Sequence, residues 1–264
     1  MRIASLCSSS AANSSYIGSA DSGVLVDVGC SYKSLLNRLS LCRTDISAVK
    51  VVLITHEHTD HIKGLKQFTK HSDVPVYASR KTGEFLLAGG HISKRENLFE
   101  LSELGRIPAD FEIKAFRTPH DSVESVGFSF VAPSGYKIAY FTDLGEITDS
   151  VREGAKGADF VFIEANYAPD VLAGNALYPA YVKERIASPV GHLSNDDSAL
   201  YISHLVSNGT TRVMLAHLSR ENNSPKRAFV AVAGKLSERG MRLNRDYTLD
   251  VAGVDNTAGE YIAV

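Results

Sequence analysis

The pattern of apolar and polar positions predicts strands first and alternating strands and helices later. In the opening third, Arg2 to Leu6, Ser15 to Gly18 and Val24 to Asp27 read as short strands separated by Ser, Asn and Gly turn signals. Ser31 is placed to cap a helix whose Leu35, Leu36 and Leu39 share one face. Val49 to Thr55 is a β-branched apolar run bounded by polar residues, the mark of a buried strand. His61 to His71 then switches to helical spacing, with Ile62, Leu65, Phe68 and Thr69 on one side. Further strands are predicted at Val74 to Ala78, Phe111 to Arg117, Val126 to Ala132, Lys137 to Thr142, Asp159 to Glu164 and Thr211 to Ala216. Pro133-Ser134-Gly135 signals a hairpin, and helices are expected over Asn195 to Ser207 and Ser224 to Glu238. Such an order of elements predicts sheets with helices packed outside them.

Composition narrows the class. The 264 residues carry 44% hydrophobic side chains, enough for a substantial core, and no internal repeat or Pro-rich linker interrupts them, so one domain over residues 1–264 is expected. No stretch approaches the roughly 20 apolar residues of a membrane span, and the start turns polar at Ser8-Ser9-Ser10, which is unlike a signal peptide. Cys7, Cys30 and Cys42 are odd in number and lack C-x-x-C spacing, which argues against a disulfide framework and suits a reducing cytoplasm. The net charge of -2 leaves nucleic acid open as a partner, because basic residues are locally grouped: Lys63, Lys66 and Lys70; Arg80 and Lys81; Arg220, Lys226 and Arg227.

The chemistry is concentrated in Ile54-Thr55-His56-Glu57-His58-Thr59-Asp60-His61. A buried strand delivers His56 and His58, two residues apart and therefore on one side of an extended chain. Asp60 and His61 follow where the strand gives way to a helix. Imidazole and carboxylate donors so closely grouped suit zinc, manganese or iron.

His56-x-His58-x-Asp60-His61 resembles the signature of the metallo-β-lactamase fold superfamily, and the resemblance extends along nearly the whole chain. It implies an α/β (α+β) fold, a four-layer αββα sandwich, with two divalent metal ions. By that resemblance His56, His58 and His120 hold one ion, Asp60, His61 and His217 the other, and Asp143 lies between them. Asp27 would support the metal-binding loop from behind. His58 is Glu in the redox relatives, the C-terminal helical domain of thioesterase relatives has little room after His217, and the stretch from Asp143 to His217 is too short for the insertion of the β-CASP nucleases.

The segments Gly191-His192-Leu193-Ser194-Asn195 and His217-Leu218-Ser219-Arg220-Glu221-Asn222-Asn223, with the opening Ser8 to Ser14, resemble the YycJ (WalJ) branch, although Ser8 and Ala11 stand where glycines are expected. That branch implies a 5′-to-3′ exonuclease acting on double-stranded DNA. Glu164-Ala165-Asn166 and His192-Leu193-Ser194 resemble segments that supply an acid to the leaving group in related tRNA 3′-end nucleases. Catalytic roles are therefore expected for Asp60, His192 and Glu164, and phosphate contacts for Arg220 and Asn222. An RNA phosphodiesterase, a small-molecule thioesterase or lactonase, and a non-catalytic metal-binding regulator are the alternatives. Metal identity and oligomeric state are left open by these residues.

Overall fold

The computed structural model describes residues 2–104 and 111–263. Its strands are β1 (Arg2–Ser9), β2 (Ala12–Gly18), β3 (Gly23–Val26), β4 (Val49–Leu53), β5 (Val76–Ala78), β6 (Leu98–Glu100), β7 (Glu112–Arg117), β8 (Val126–Val131), β9 (Lys137–Phe141), β10 (Phe160–Glu164), β11 (Arg212–Ala216), β12 (Thr248–Val251) and β13 (Ile262–Ala263). Its α-helices are α1 (Tyr32–Leu41), α2 (Thr59–Ile62), α3 (Leu65–His71), α4 (Arg80–Ala88), α5 (Asp149–Ala155), α6 (Pro169–Gly174), α7 (Ala180–Ile186), α8 (Asn195–Ser207) and α9 (Pro225–Glu238). Two sheets flanked by helices give the expected mixed α/β class. Among the described residues no helix is long and apolar enough to cross a membrane.

Two compact units are distinguished. The first comprises Met1–Glu112, Ser122–Ser125 and Gly253–Val264. Its sheet runs β13-β1-β2-β3-β4-β5-β6, antiparallel through β3 and parallel from β3 to β6. The β1–β2 hairpin pairs Ser9 with Ala12, so Ser10 and Ala11 make the turn without glycine. Asn13 secures it, accepting from the Ser9 amide at 3.2 Å and donating to the Ser9 carbonyl at 2.9 Å. Ser31 caps α1 as expected, and Leu35 and Leu39 join Leu25, Val52 and Phe68 in the core. The single helix predicted over His61 to His71 is instead two, α2 and α3, because the Gly64 amide donates to the Val28 carbonyl at 2.8 Å rather than extending the helical ladder.

The second unit comprises Ile113–Asp121 and Val126–Ala252. Its sheet runs β12-β11-β10-β9-β8-β7, and the four strands from β9 to β12 are mutually parallel. The hairpin expected at Pro133-Ser134-Gly135 joins β8 and β9 antiparallel, closed by the Gly135 amide on the Ala132 carbonyl at 2.8 Å. α5, α8 and α9 contribute to a core with Phe141, Ile163, Ile202, Leu215, Val232 and Leu236. Ser194 and Ser224 cap α8 and α9 with their hydroxyls, fixing both helix starts.

Candidate metal centre

In the first unit the donors follow β4. Asp27, just past β3, is fully buried and organises them. One of its oxygens accepts from the Thr55 amide at 2.8 Å; the other meets the Thr55 hydroxyl at 2.8 Å and His61 Nδ1 at 2.8 Å. His56 Nδ1 lies 3.0 Å from the same hydroxyl. The His56 ring stands 4.7 Å from that of His58 and 4.1 Å from that of His61, centroid to centroid. Asn13 reaches in from β2, donating to Asp60 Oδ2 at 3.0 Å and lying 3.1 Å from His61 Nε2. Burial pushes the Asp27 carboxyl above its usual range, against the pull of His61.

In the second unit the sheet explains the gathering. β9, β10 and β11 are parallel neighbours, so their C-terminal ends lie along one edge, where open α/β sheets place their ligands. Asp143 follows β9, Glu164 ends β10 and His217 follows β11. Asp143, Glu164, His192 and His217 offer ligand atoms all within 4.8 Å of one another. Glu164 is the hub. Its Oε1 lies 2.8 Å from His192 Nδ1 and 2.7 Å from His217 Nδ1. Its Oε2 accepts from the Leu144 amide at 3.2 Å and the Leu193 amide at 3.0 Å. One carboxylate thus holds two imidazoles and the loops carrying Asp143 and His192. Burial alone would raise its pKa, but the two imidazoles hold it below the ordinary carboxylate range. Burial likewise lowers His192, yet Glu164 raises it by more, so its net shift is upward. His120, after β7, has its ring 5.1 Å from that of His192 and its Nε2 3.8 Å from Asp143 Oδ1.

A common orientation unites these imidazoles. Nδ1 faces Asp27 in His61, Glu164 in His217, the Gly191 carbonyl at 3.0 Å in His120 and the Thr55 hydroxyl in His56. With Nδ1–H donated to an oxygen, Nε2 carries the lone pair, as metal-ligating histidines require. The backbone is also committed: Asp27, Asp143 and His217 adopt φ of 61°, 59° and 52°, a left-handed conformation uncommon outside glycine. These donor sets suit divalent ions of the zinc, manganese and iron type.

The expected phosphate contacts divide. Arg220 is exposed. Asn222 is 1% exposed; its amide oxygen accepts from Asn175 at 2.7 Å and its backbone nitrogen donates to the Ser219 hydroxyl at 3.1 Å. It ties the loop together through these bonds. Sequence reasoning gave no separate role to Asn13, Thr55 or Asn166, whose amide donates to the His217 carbonyl at 2.8 Å. Thr55 stands directly before the donor motif, whereas Asn13 lies far from it along the chain and meets Asp60 only in the fold.

Comparison with known proteins shows the family of the chain. The family described as Beta-lactamase superfamily domain matches residues 23–218. Exodeoxyribonuclease YycJ of Bacillus anthracis is 32% identical over 92% of this chain and 92% of its own. Exodeoxyribonuclease WalJ of Streptococcus pneumoniae is 29% identical over 92% of this chain and 90% of its own. Among solved structures, Zn(2+)-bound PqqB from Methylobacterium extorquens superposes with a TM-score of 0.70, at 15% identity, over the whole of both chains.

Proposed function

Because the chain belongs to the metallo-β-lactamase fold superfamily and is a metal-dependent hydrolase, we propose that it cleaves phosphodiester bonds of nucleic acid, double-stranded DNA in preference. The reading extends to 5′-to-3′ exonuclease action, one catalytic domain over residues 1–264 and a cytoplasmic location, the last supported by three free, buried cysteines. The observation that carries the reaction class is the Glu164–His192 pair beside Asp143, His120 and His217.

His56, His58 and His120 would hold one divalent ion, zinc or manganese with iron as a further candidate, and Asp60, His61 and His217 would hold a second, with Asp143 as a further donor. Bound ions of this kind supply hydroxide from water near pH 7 and offset the charge growing on a scissile phosphate. Asp27 and Glu164 keep His61 and His217 in the tautomer that offers Nε2. His192 carries a proton on Nε2 while Nδ1 is held by Glu164, and it delivers that proton to the departing alkoxide. Asp60 is held by Asn13 and combines ligation with orientation of the attacking water. Arg220 contacts backbone phosphate, which positions the strand without reading its sequence.

The test is incubation of zinc- or manganese-loaded protein with end-labelled duplex DNA, single-stranded DNA and RNA, beside a chromogenic thioester and a lactone. The expected result is stepwise release of mononucleotides from duplex DNA, slowing as salt rises because phosphate contacts displace counterions. Cleavage of RNA alone would move the substrate. Robust thioester or lactone hydrolysis without nuclease activity would overturn the reading.

A further inference from the structure

Two segments of the second unit, Gly191 to Asn195 and His217 to Asn223, each bring an imidazole to Glu164 and end on an asparagine. Between them runs the chain leaving β10. On one side the Ala165 amide donates to the Ala216 carbonyl at 3.0 Å, and the Ser219 amide to the Asn166 carbonyl at 2.8 Å. On the other the Asn166 amide donates to the Leu193 carbonyl at 3.0 Å, and the Asn195 amide to the Tyr167 carbonyl at 2.8 Å. The loop of His192 and the loop of His217 are thus both laced to the same middle segment.

Asn223 bridges that segment. Its side-chain nitrogen donates to the Ala165 carbonyl at 2.9 Å, the Asn166 carbonyl at 3.1 Å and Asn195 Oδ1 at 2.8 Å. Asn195 Nδ2 returns a bond to Asn223 Oδ1 at 3.1 Å, and the same oxygen accepts from the Ser224 amide at 2.9 Å. The orientation of both side chains is forced. Main-chain carbonyls only accept, so the Asn223 atom facing them is nitrogen, and the Asn195 atom facing that nitrogen is oxygen. Asn166 completes the tie, donating from its side chain to the carbonyl of His217, the residue held at a φ of 52°. Asn166 and Asn195 are buried, where water competes little for such bonds.

We propose that the Asn195–Asn223 pair, with Asn166, is a positioning device that fixes the His192 imidazole relative to His217 and so sets the acid at the leaving oxygen. The proposal rests on the nuclease reading above, through the role given there to His192. Glu164 Oε1 decides which ring nitrogen of each imidazole turns inward, but a single hydrogen bond leaves a ring free to swing about it. His192 Nε2 has to come within about 2.6–3.2 Å of the departing oxygen to pass its proton. A misplacement of about 1 Å costs about 10²-fold. Two imidazoles on two loops keep one spacing only if the loops are locked together, and a reciprocal amide pair locks them without adding a charge beside the metal donors. Support of α9 accounts for the bond to the Ser224 amide alone; the remaining bonds go to the chain leaving β10 and to the loop of His192.

The experiment is a double-mutant cycle of His192→Ala with Asn223→Ala, run on manganese-loaded protein with duplex DNA and with bis(4-nitrophenyl) phosphate. Asn223→Ala should lower kcat on DNA about 10²-fold, with KM and metal content near those of wild type. On the nitrophenyl diester, whose leaving group needs little protonation, the loss should be much smaller. In the His192→Ala background the same substitution should cost little more, because the amide acts through the imidazole. Asn195→Asp and Asn223→Asp add the same charge but remove one and three of these bonds, so the second should be the slower on DNA. Should Asn223→Ala fail to fold, Asn195→Asp takes its place in the cycle with the same expectation of non-additivity. Additive losses, equal losses on both substrates, or loss of metal from a folded Asn223→Ala would each make the asparagines general support and overturn the proposal while leaving the nuclease reading intact. A wild type that hydrolyses the small diester but neither binds nor cuts polynucleotide would sink the nuclease reading and the proposal with it.

Discussion

At the scale of single residues, His192 separates proton delivery from metal holding, whereas Glu164 joins the two. His192→Ala should keep both ions and near-normal DNA affinity while turnover falls about 10²–10⁴-fold, the usual worth of a positioned acid. On a nitrophenyl leaving group, which needs little protonation, the defect should shrink. Glu164→Gln should behave differently, because Oε1 meets His217 as well as His192. It should lower metal content, read by elemental analysis, in addition to turnover; full metal retention would mean that His217 is oriented without Glu164. The sequence made the donors legible, since four ligand-type side chains stand together at His56, His58, Asp60 and His61. It left Asn13 and the double duty of Glu164 unread, because those depend on which strands become neighbours. A hairpin register brings Asn13 to Asp60, and parallel pairing of β10 with β11 brings Glu164 to His217.

At the scale of elements, the donor loop is set by close backbone contact. A Cβ on Gly29 would fall 1.8 Å from the Asp60 carbonyl oxygen and 2.5 Å from the Asn13 nitrogen. Both are main-chain atoms, so no side-chain rotation relieves the clash. Gly29→Ala should therefore destabilise the protein by about 1–3 kcal/mol and reduce metal content together, measured by thermal melting and elemental analysis; normal loading in a destabilised variant would uncouple the two. Long periodic segments were readable: α8 and α9 match their predicted spans to within a residue because a capping serine precedes each. α4, α5, α6 and α7 were not anticipated. α6 has one buried residue and α7 none, so neither leaves an apolar stripe for periodicity to detect.

At the scale of the whole molecule, ligand binding should appear as folding stability. An ion that binds only the folded chain stabilises it by about 2.7 kcal/mol at one hundred times its dissociation constant. Zinc or manganese should raise the melting temperature, a chelator should reverse the gain, and His58→Ala should reduce it. A melting temperature indifferent to both ions and chelator would remove His58 and its neighbours from the metal centre. The division into two units could not be read from composition. The first unit is assembled from three separate stretches, including Ser122–Ser125 and the final Gly253–Val264, and no Pro-rich linker marks the crossings. The three left-handed residues at strand ends, Asp27, Asp143 and His217, carry a last consequence. Each holds a backbone shape that glycine adopts without strain and that costs other residues of order 1 kcal/mol. Selection for catalysis and selection for stability therefore oppose each other at these three codons. In a lineage released from catalysis, glycine or asparagine should accumulate there before the surrounding core drifts, so the positions serve as a clock for the loss of activity in descendants of this chain.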